Sequence, residues 1–197
     1  MIRLGITGGI GSGKSMVSQL FRVMGIPVYD SDKESKRLTI TNEGIRTHLM
    51  ELVGKDVYTD DGSLNKSVLA SWLFSCEEHT LKVNNIIHPV VKEDFLLWVN
   101  KQEKSGYVAC GIESAILIEA GFQDVVEKVV AVTASLETRI ERTMQRDGVS
   151  RKSVQNRIAR QMNEDEKKEK ADFVINNDEN TPLIPQVCHV ITSLFEK

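Results

Sequence analysis

A chain of 197 residues, 41% of them hydrophobic, can bury the core of one α/β domain with a mobile sub-domain. A charged fraction of 27% without low-complexity segments excludes a disordered chain, and a formal net charge of −3 excludes a general binder of nucleic acid or membrane surfaces. Three widely spaced cysteines, Cys76, Cys110 and Cys188, form no CxxC pair and read as free thiols of a reducing cytosol, while no apolar run approaches the ~20 residues that span a bilayer.

The chain opens on Ile2-Arg3-Leu4-Gly5-Ile6-Thr7, a strand-like run rather than a signal peptide. Residues 14–24 carry Met16, Val17, Leu20, Phe21 and Met24 at helical spacing, with Gly25 to cap the helix and Pro27 to forbid its continuation. Ile26 to Tyr29 is a second strand. Residues 31–104 read as mainly helical, interrupted by a turn at Thr59–Ser63, and Pro89 starts or bends a long helix that runs to about Lys104. Strands are expected at Tyr107–Ile112 and Val126–Val132. Helices follow at Leu136–Asp147 and Ser153–Lys170, separated by Gly148, then a strand at Asp172–Ile175 and a helix from about Pro182 to Phe195. Alternating strands and helices predict an α/β fold, a five-stranded parallel sheet flanked by helices. The single domain, residues 1–197, would carry a helical insertion at about 31–104 on the substrate side and a helical lid at about 139–170.

Gly8-Gly9-Ile10-Gly11-Ser12-Gly13-Lys14-Ser15 fits G-x-x-x-x-G-K-[ST], the P-loop. Backbone N–H groups must curl round phosphate oxygens, which requires glycine where φ is positive or no Cβ fits. A helix starting near Gly13 aims its positive end at the same oxygens. Lys14 can reach the β- and γ-phosphates, and the Ser15 hydroxyl suits Mg²⁺. A strand before the motif and a helix after it supply the context that a chance glycine cluster lacks. The motif leaves GTPases, ATPases and kinases open. The base-reading N-K-x-D motif is not met, because Asn65-Lys66 is followed by Ser67-Val68, and no L-S-G-G-Q occurs.

Asp30 and Asp32 follow the second strand, where an open α/β sheet faces its ligand. One can orient and deprotonate an attacking hydroxyl while another caps the next helix. Glu113 closes the third predicted strand, a position suited to supporting Mg²⁺, although an ordinary loop acid would look the same. Between residues 139 and 160 lie Arg139, Arg142, Arg146, Arg151, Lys152, Arg157 and Arg160 against only Glu141 and Asp147. Arg139, Arg142 and Arg146 fall on one helical face, so two or three of these arginines are expected on phosphate and the rest in solvent. His88, at the expected helix start, reads as structural, and Glu119 as solvated or structural. Asn176-Asn177, after the fifth predicted strand, either bonds adenine or makes a turn.

In this order the motifs resemble the dephospho-CoA kinase family, from about residue 2 to 178. Thr7–Ser15 resembles its opening motif, Val28-Tyr-Asp-Ser-Asp32 its D-A-D segment with Ser31 in place of Ala, and Ile86-Ile-His-Pro89 its L-x-H-P. Arg142-Thr-Met-Gln-Arg-Asp147 and Ala171-Asp-Phe-Val-Ile-Asn176 resemble its lid and late-strand motifs. Met16 replaces the usual Thr, and Glu113-Ser-Ala-Ile-Leu-Ile-Glu119 departs from P-L-L-x-E at Ala115. The resemblance implies transfer of the ATP γ-phosphoryl group to the ribose 3′-hydroxyl of dephospho-CoA, the last step of coenzyme A biosynthesis, in the cytoplasm. Asp32 takes the place of the catalytic aspartate. Lys14, Arg142 and Arg146 would act on the transferring group, Gly8 to Met16 and Asn176 on ATP, Arg157 in the lid, and Ser15 with Glu113 on Mg²⁺. ATP and dephospho-CoA are the expected partners, with no nucleic acid or membrane and an open oligomeric state. The alternatives are another P-loop small-molecule or nucleoside monophosphate kinase, and a nucleotide-binding switch ATPase.

Overall fold

The computed structural model describes residues 1–196 and divides into two compact units, one of Met1–Asp30 with the chain from Val99 onward, the other of Ser31–Trp98. The second unit ends at Trp98, inside a helix.

The first unit holds a five-stranded, all-parallel sheet of order β2-β3-β1-β4-β5, with β1 at Ile2–Thr7, β2 at Val28–Asp30, β3 at Ala109–Glu113, β4 at Lys128–Thr133 and β5 at Phe173–Asn176. Parallel strands must be covered on both faces, which is why β3 is buried at all five positions. Helix α1, Lys14–Val23, and the last helix, Leu183–Phe195, cover one face. Leu4, Ile6, Val130, Val132 and Ile175 of the sheet pack there against Val17, Phe21, Val187 and Val190. Burying Phe21 completely stabilises the unit by about 2–3 kcal/mol. On β1 Gly5 leaves room for Leu117, whose side chain a Cβ at Gly5 would strike at 2.7 Å.

The second unit contains α2 (Ser31–Thr41), α3 (Glu43–Val53), α4 (Lys66–Ser75) and most of α5 (Glu77–Lys104). Asn42 and Asn65 cap α3 and α4 by accepting from Ile45 N–H and Val68 N–H. The expected turn at Thr59–Ser63 closes a short bridge between Tyr58 and Leu64. The Tyr58 hydroxyl donates to the Thr39 carbonyl at 2.6 Å, and the Arg46 guanidinium lies 4.1 Å from the Tyr58 ring centre. Arg37 on α2 reaches Asp94 on α5 at 2.9 Å. Pro89 does not start a helix, and neither does His88: both lie inside the 28-residue α5. Proline there removes one N–H, so the Asn85 carbonyl loses its donor while the helix continues.

After β4 the first unit adds α6 (Leu136–Asp147), α7 (Arg151–Ile158), α8 (Glu164–Glu169) and, after β5, α9 (Leu183–Phe195). Gly148 ends α6 in the left-handed region, at φ 65°. The single helix expected over Ser153–Lys170 is two helices, because α7 stops at Ile158 and the Asn163 side chain accepts from Asp165 N–H to start α8. Among the described residues no helix is long and apolar enough to cross a membrane.

Candidate active site

Parallel pairing brings the carboxyl ends of β1, β2 and β3 to one edge of the sheet, where Thr7 leads into the P-loop and Asp30 stands beside Glu113 in the β2–β3 register. The loop turns tightly, with Ser12 N–H bonding to the Gly9 carbonyl at 3.1 Å. Gly11 and Gly13 have φ of 78° and 91°, and a Cβ at either would collide with the Arg139 carbonyl or the Asn177 amide. Gly13 sits at the cap of α1 and brings no side chain to it. The first N–H groups of α1 are therefore left without a side-chain capping partner, at the positive end of the helix, an arrangement suited to an anion.

Ser15, in the first turn of α1, donates its hydroxyl to Glu113 Oε1 at 2.8 Å. Both are hard oxygen donors, a pair that fits Mg²⁺, which takes one or two protein oxygens and completes its shell from phosphates and water. Among the described residues no group of three or more His, Cys, Asp or Glu is placed to hold a metal by itself. Glu113 is 8% exposed and ends β3 as expected.

The arginines divide by depth. Arg139 is 3% exposed: its Nε donates to the Ile10 carbonyl at 3.0 Å and its Nη1 pairs with Glu164 at 3.1 Å. Burial lowers its pKa and Glu164 opposes that shift. Arg142 has a buried Nη1 with no hydrogen-bond partner among the described residues, and that atom lies 3.9 Å from where a Gly13 Cβ would stand. A desolvated guanidinium nitrogen beside the cradle is suited to a phosphate oxygen. Arg146 and Arg157 instead converge on Asp147, at 2.8 and 2.9 Å. Arg146 hydrogen bonding, with Arg157 in support, holds the Asp147 carboxyl below its ordinary pKa.

Asn176 takes the turn: its Oδ1 accepts from Asp178 N–H at 3.0 Å. Its neighbour Asn177 reaches the cradle, donating to the Ser12 carbonyl at 2.8 Å. Met16, in α1, donates its N–H to the Gly13 carbonyl at 3.0 Å and is 59% exposed. Asp32 is exposed in the first turn of α2, where a carboxylate is favoured by the helix dipole, while Asp30 directly precedes that helix. Asn177 was read from sequence together with Asn176, whereas sequence reasoning passed over Arg139 as a fixed support, Gln161 and Glu164, which carry no local signal.

A P-loop at the end of the central strand, with a hydroxyl–carboxylate pair across to β3, places the chain in the class of P-loop kinases. The model of the dephospho-CoA kinase family matches residues 2–182. A dephospho-CoA kinase of Bacteroides fragilis is 50% identical over 196 residues, covering 100% of this chain and 94% of the relative. One of Porphyromonas gingivalis is 41% identical, covering 100% and 96%. A solved structure from Thermus thermophilus superposes with a TM-score of 0.83 at 30% identity, covering 100% of this chain and 98% of that one. The chain belongs to the dephospho-CoA kinase family.

Proposed function

We propose that the chain uses ATP and Mg²⁺ to phosphorylate the ribose 3′-hydroxyl of dephospho-CoA, giving CoA and ADP in the cytoplasm. The observation that carries this reading is the match of the whole chain, at 50% identity, to a Bacteroides dephospho-CoA kinase. The amides from Gly8 to Ser15 hold the triphosphate, and Lys14 and Arg142 offset charge on the transferring group. Arg146 and Arg157 join from the lid by exchanging Asp147 for phosphate oxygens. Ser15 and Glu113 would hold Mg²⁺, which when bound would supply positive charge to offset that of the transferring phosphate.

Asp32, two residues beyond β2, accepts the proton of the 3′-hydroxyl. The acceptor oxygen bonds to the γ-phosphorus, the bond to the β,γ-bridging oxygen breaks, and its electron pair leaves with ADP. Holding the hydroxyl in line supplies much of the rate, and the base adds to it. Asp32→Asn keeps size and helix position but loses the base. Its kcat, followed by coupled ADP release, is expected to fall about 10²- to 10⁴-fold with the KM for ATP nearly unchanged. Near-normal turnover by the folded variant removes Asp32 from the mechanism.

A further inference from the structure

Residues 161–167 touch two loops at once. On one side, the Gln161 side chain accepts from Ile10 N–H at 2.8 Å and Glu164 accepts from Gly9 N–H at 3.0 Å, fixing the leading edge of the P-loop. On the other side, the Lys167 ammonium donates to the Ala115 carbonyl at 3.0 Å and pairs with Glu119 at 3.1 Å. Glu119 also accepts from Met162 N–H at 3.1 Å. Lys167 is 1% exposed, so it is spent on these contacts and not on solvent. Ala115 lies two residues beyond Glu113, the carboxylate that meets Ser15, and Ser114 N–H is tied back to β1 through the Ile6 carbonyl at 3.0 Å.

A buried ammonium is costly to desolvate and adds little net stability beside an apolar residue of similar volume. Its direction and reach, however, fix where two backbones sit. Glu164 and Lys167 are three residues apart on α8, so one short helix sets both grips. We propose that Lys167, with Glu119, is a positioning residue for phosphoryl transfer: it ties the segment that grips Gly9 and Ile10 to the loop that follows Glu113, and so sets the Ser15–Glu113 spacing. This rests on the reading that Ser15 and Glu113 serve the Mg²⁺-nucleotide.

The test uses the full chain with Lys167→Met, Lys167→Arg and Glu119→Gln, beside Ser15→Ala and Glu113→Gln. Two quantities are read: kcat against KM, and the ratio of ADP affinity with Mg²⁺ to that without it, by calorimetry. Lys167→Met is expected to lower kcat about 10- to 100-fold with the KM for dephospho-CoA within about twofold, to reduce the Mg²⁺ ratio, and to be partly rescued in Lys167→Arg. Glu119→Gln, which keeps shape and the Met162 bond, moves the same quantities less and covers the case in which Lys167→Met does not fold. If Ser15→Ala and Glu113→Gln reduce the Mg²⁺ ratio but the Lys167 and Glu119 variants lose only melting temperature, the positioning role is overturned. If Ser15→Ala and Glu113→Gln leave the ratio intact, the metal reading itself fails.

Discussion

Arg139 and Arg146 lie on the same helix, seven residues apart, and end in opposite surroundings. Arg139 is enclosed, bonded to the P-loop carbonyl at Ile10 and paired with Glu164, whereas the Arg146 side chain is 63% exposed and shares Asp147 with Arg157. Arg142, between them, keeps a buried nitrogen without a partner among the described residues. A run of like charge along one helix face thus sorts by depth into an enclosed ion pair, a buried nitrogen without a partner among the described residues, and a solvated pair.

The contrast is tested most strongly at Arg142. Arg142→Ala is expected to lower kcat/KM for ATP about 10²- to 10³-fold, as loss of one aligned donor to developing charge does. Arg146→Ala, starting from a solvated ion pair, is expected to lose about tenfold or less in the same assay. Equal losses from the two would erase the distinction of depth.

Arg139→Ala acts on folding first. Removing one partner of an enclosed ion pair leaves Glu164 beside Gly9 N–H without its cation, at a cost of about 3 kcal/mol in denaturant unfolding. A loss within the range of surface substitutions would mean that Arg139 is not a support.

Asp147→Asn tests the solvated pair. Freed of their shared carboxylate, Arg146 and Arg157 become available to phosphate, and ATP affinity by calorimetry is expected to rise about twofold to fivefold. A fall in affinity would show that Asp147 orients these arginines instead of holding them back.

The smallest effect belongs to His88 in the second unit. Burial pushes His88 below its ordinary pKa of 6.5, so the unfolded chain binds more protons than the folded one between that value and the lowered one. This contribution is intact above about pH 6.5 and is lost as pH falls through that window. His88→Asn is expected to flatten part of the fall in denaturant midpoint from pH 7 to pH 5. An unchanged pH slope in the variant contradicts the assignment.

Much of the fold was legible because local rules were obeyed in series. Strand, glycine-rich loop and amphipathic helix stand together from Ile2 to Val23, and each predicted strand lies within a few residues of an observed one. Glu113 was legible as a strand-end residue beside the P-loop edge because strand ends of a parallel sheet share an edge. The break between α7 and α8 was not legible. Val154, Ile158 and Met162 keep one four-residue apolar spacing across the end at Ile158, so the pattern reads as a single helix, and the signal for the break was a single capping Asn163. Pro89 misled in the opposite way, since a long helix absorbs one missing bond. The Lys167–Glu119 and Glu164–Gly9 contacts join residues far apart in sequence, and no local pattern announces them.

The central claim is the identity of the acceptor oxygen. Purified chain with ATP, Mg²⁺ and dephospho-CoA, followed by mass spectrometry, is predicted to yield CoA, one phosphoryl group heavier, and no product from the 3′-deoxy analogue. Phosphorylation of that analogue, or ATP consumed with dephospho-CoA left unchanged, would contradict the account.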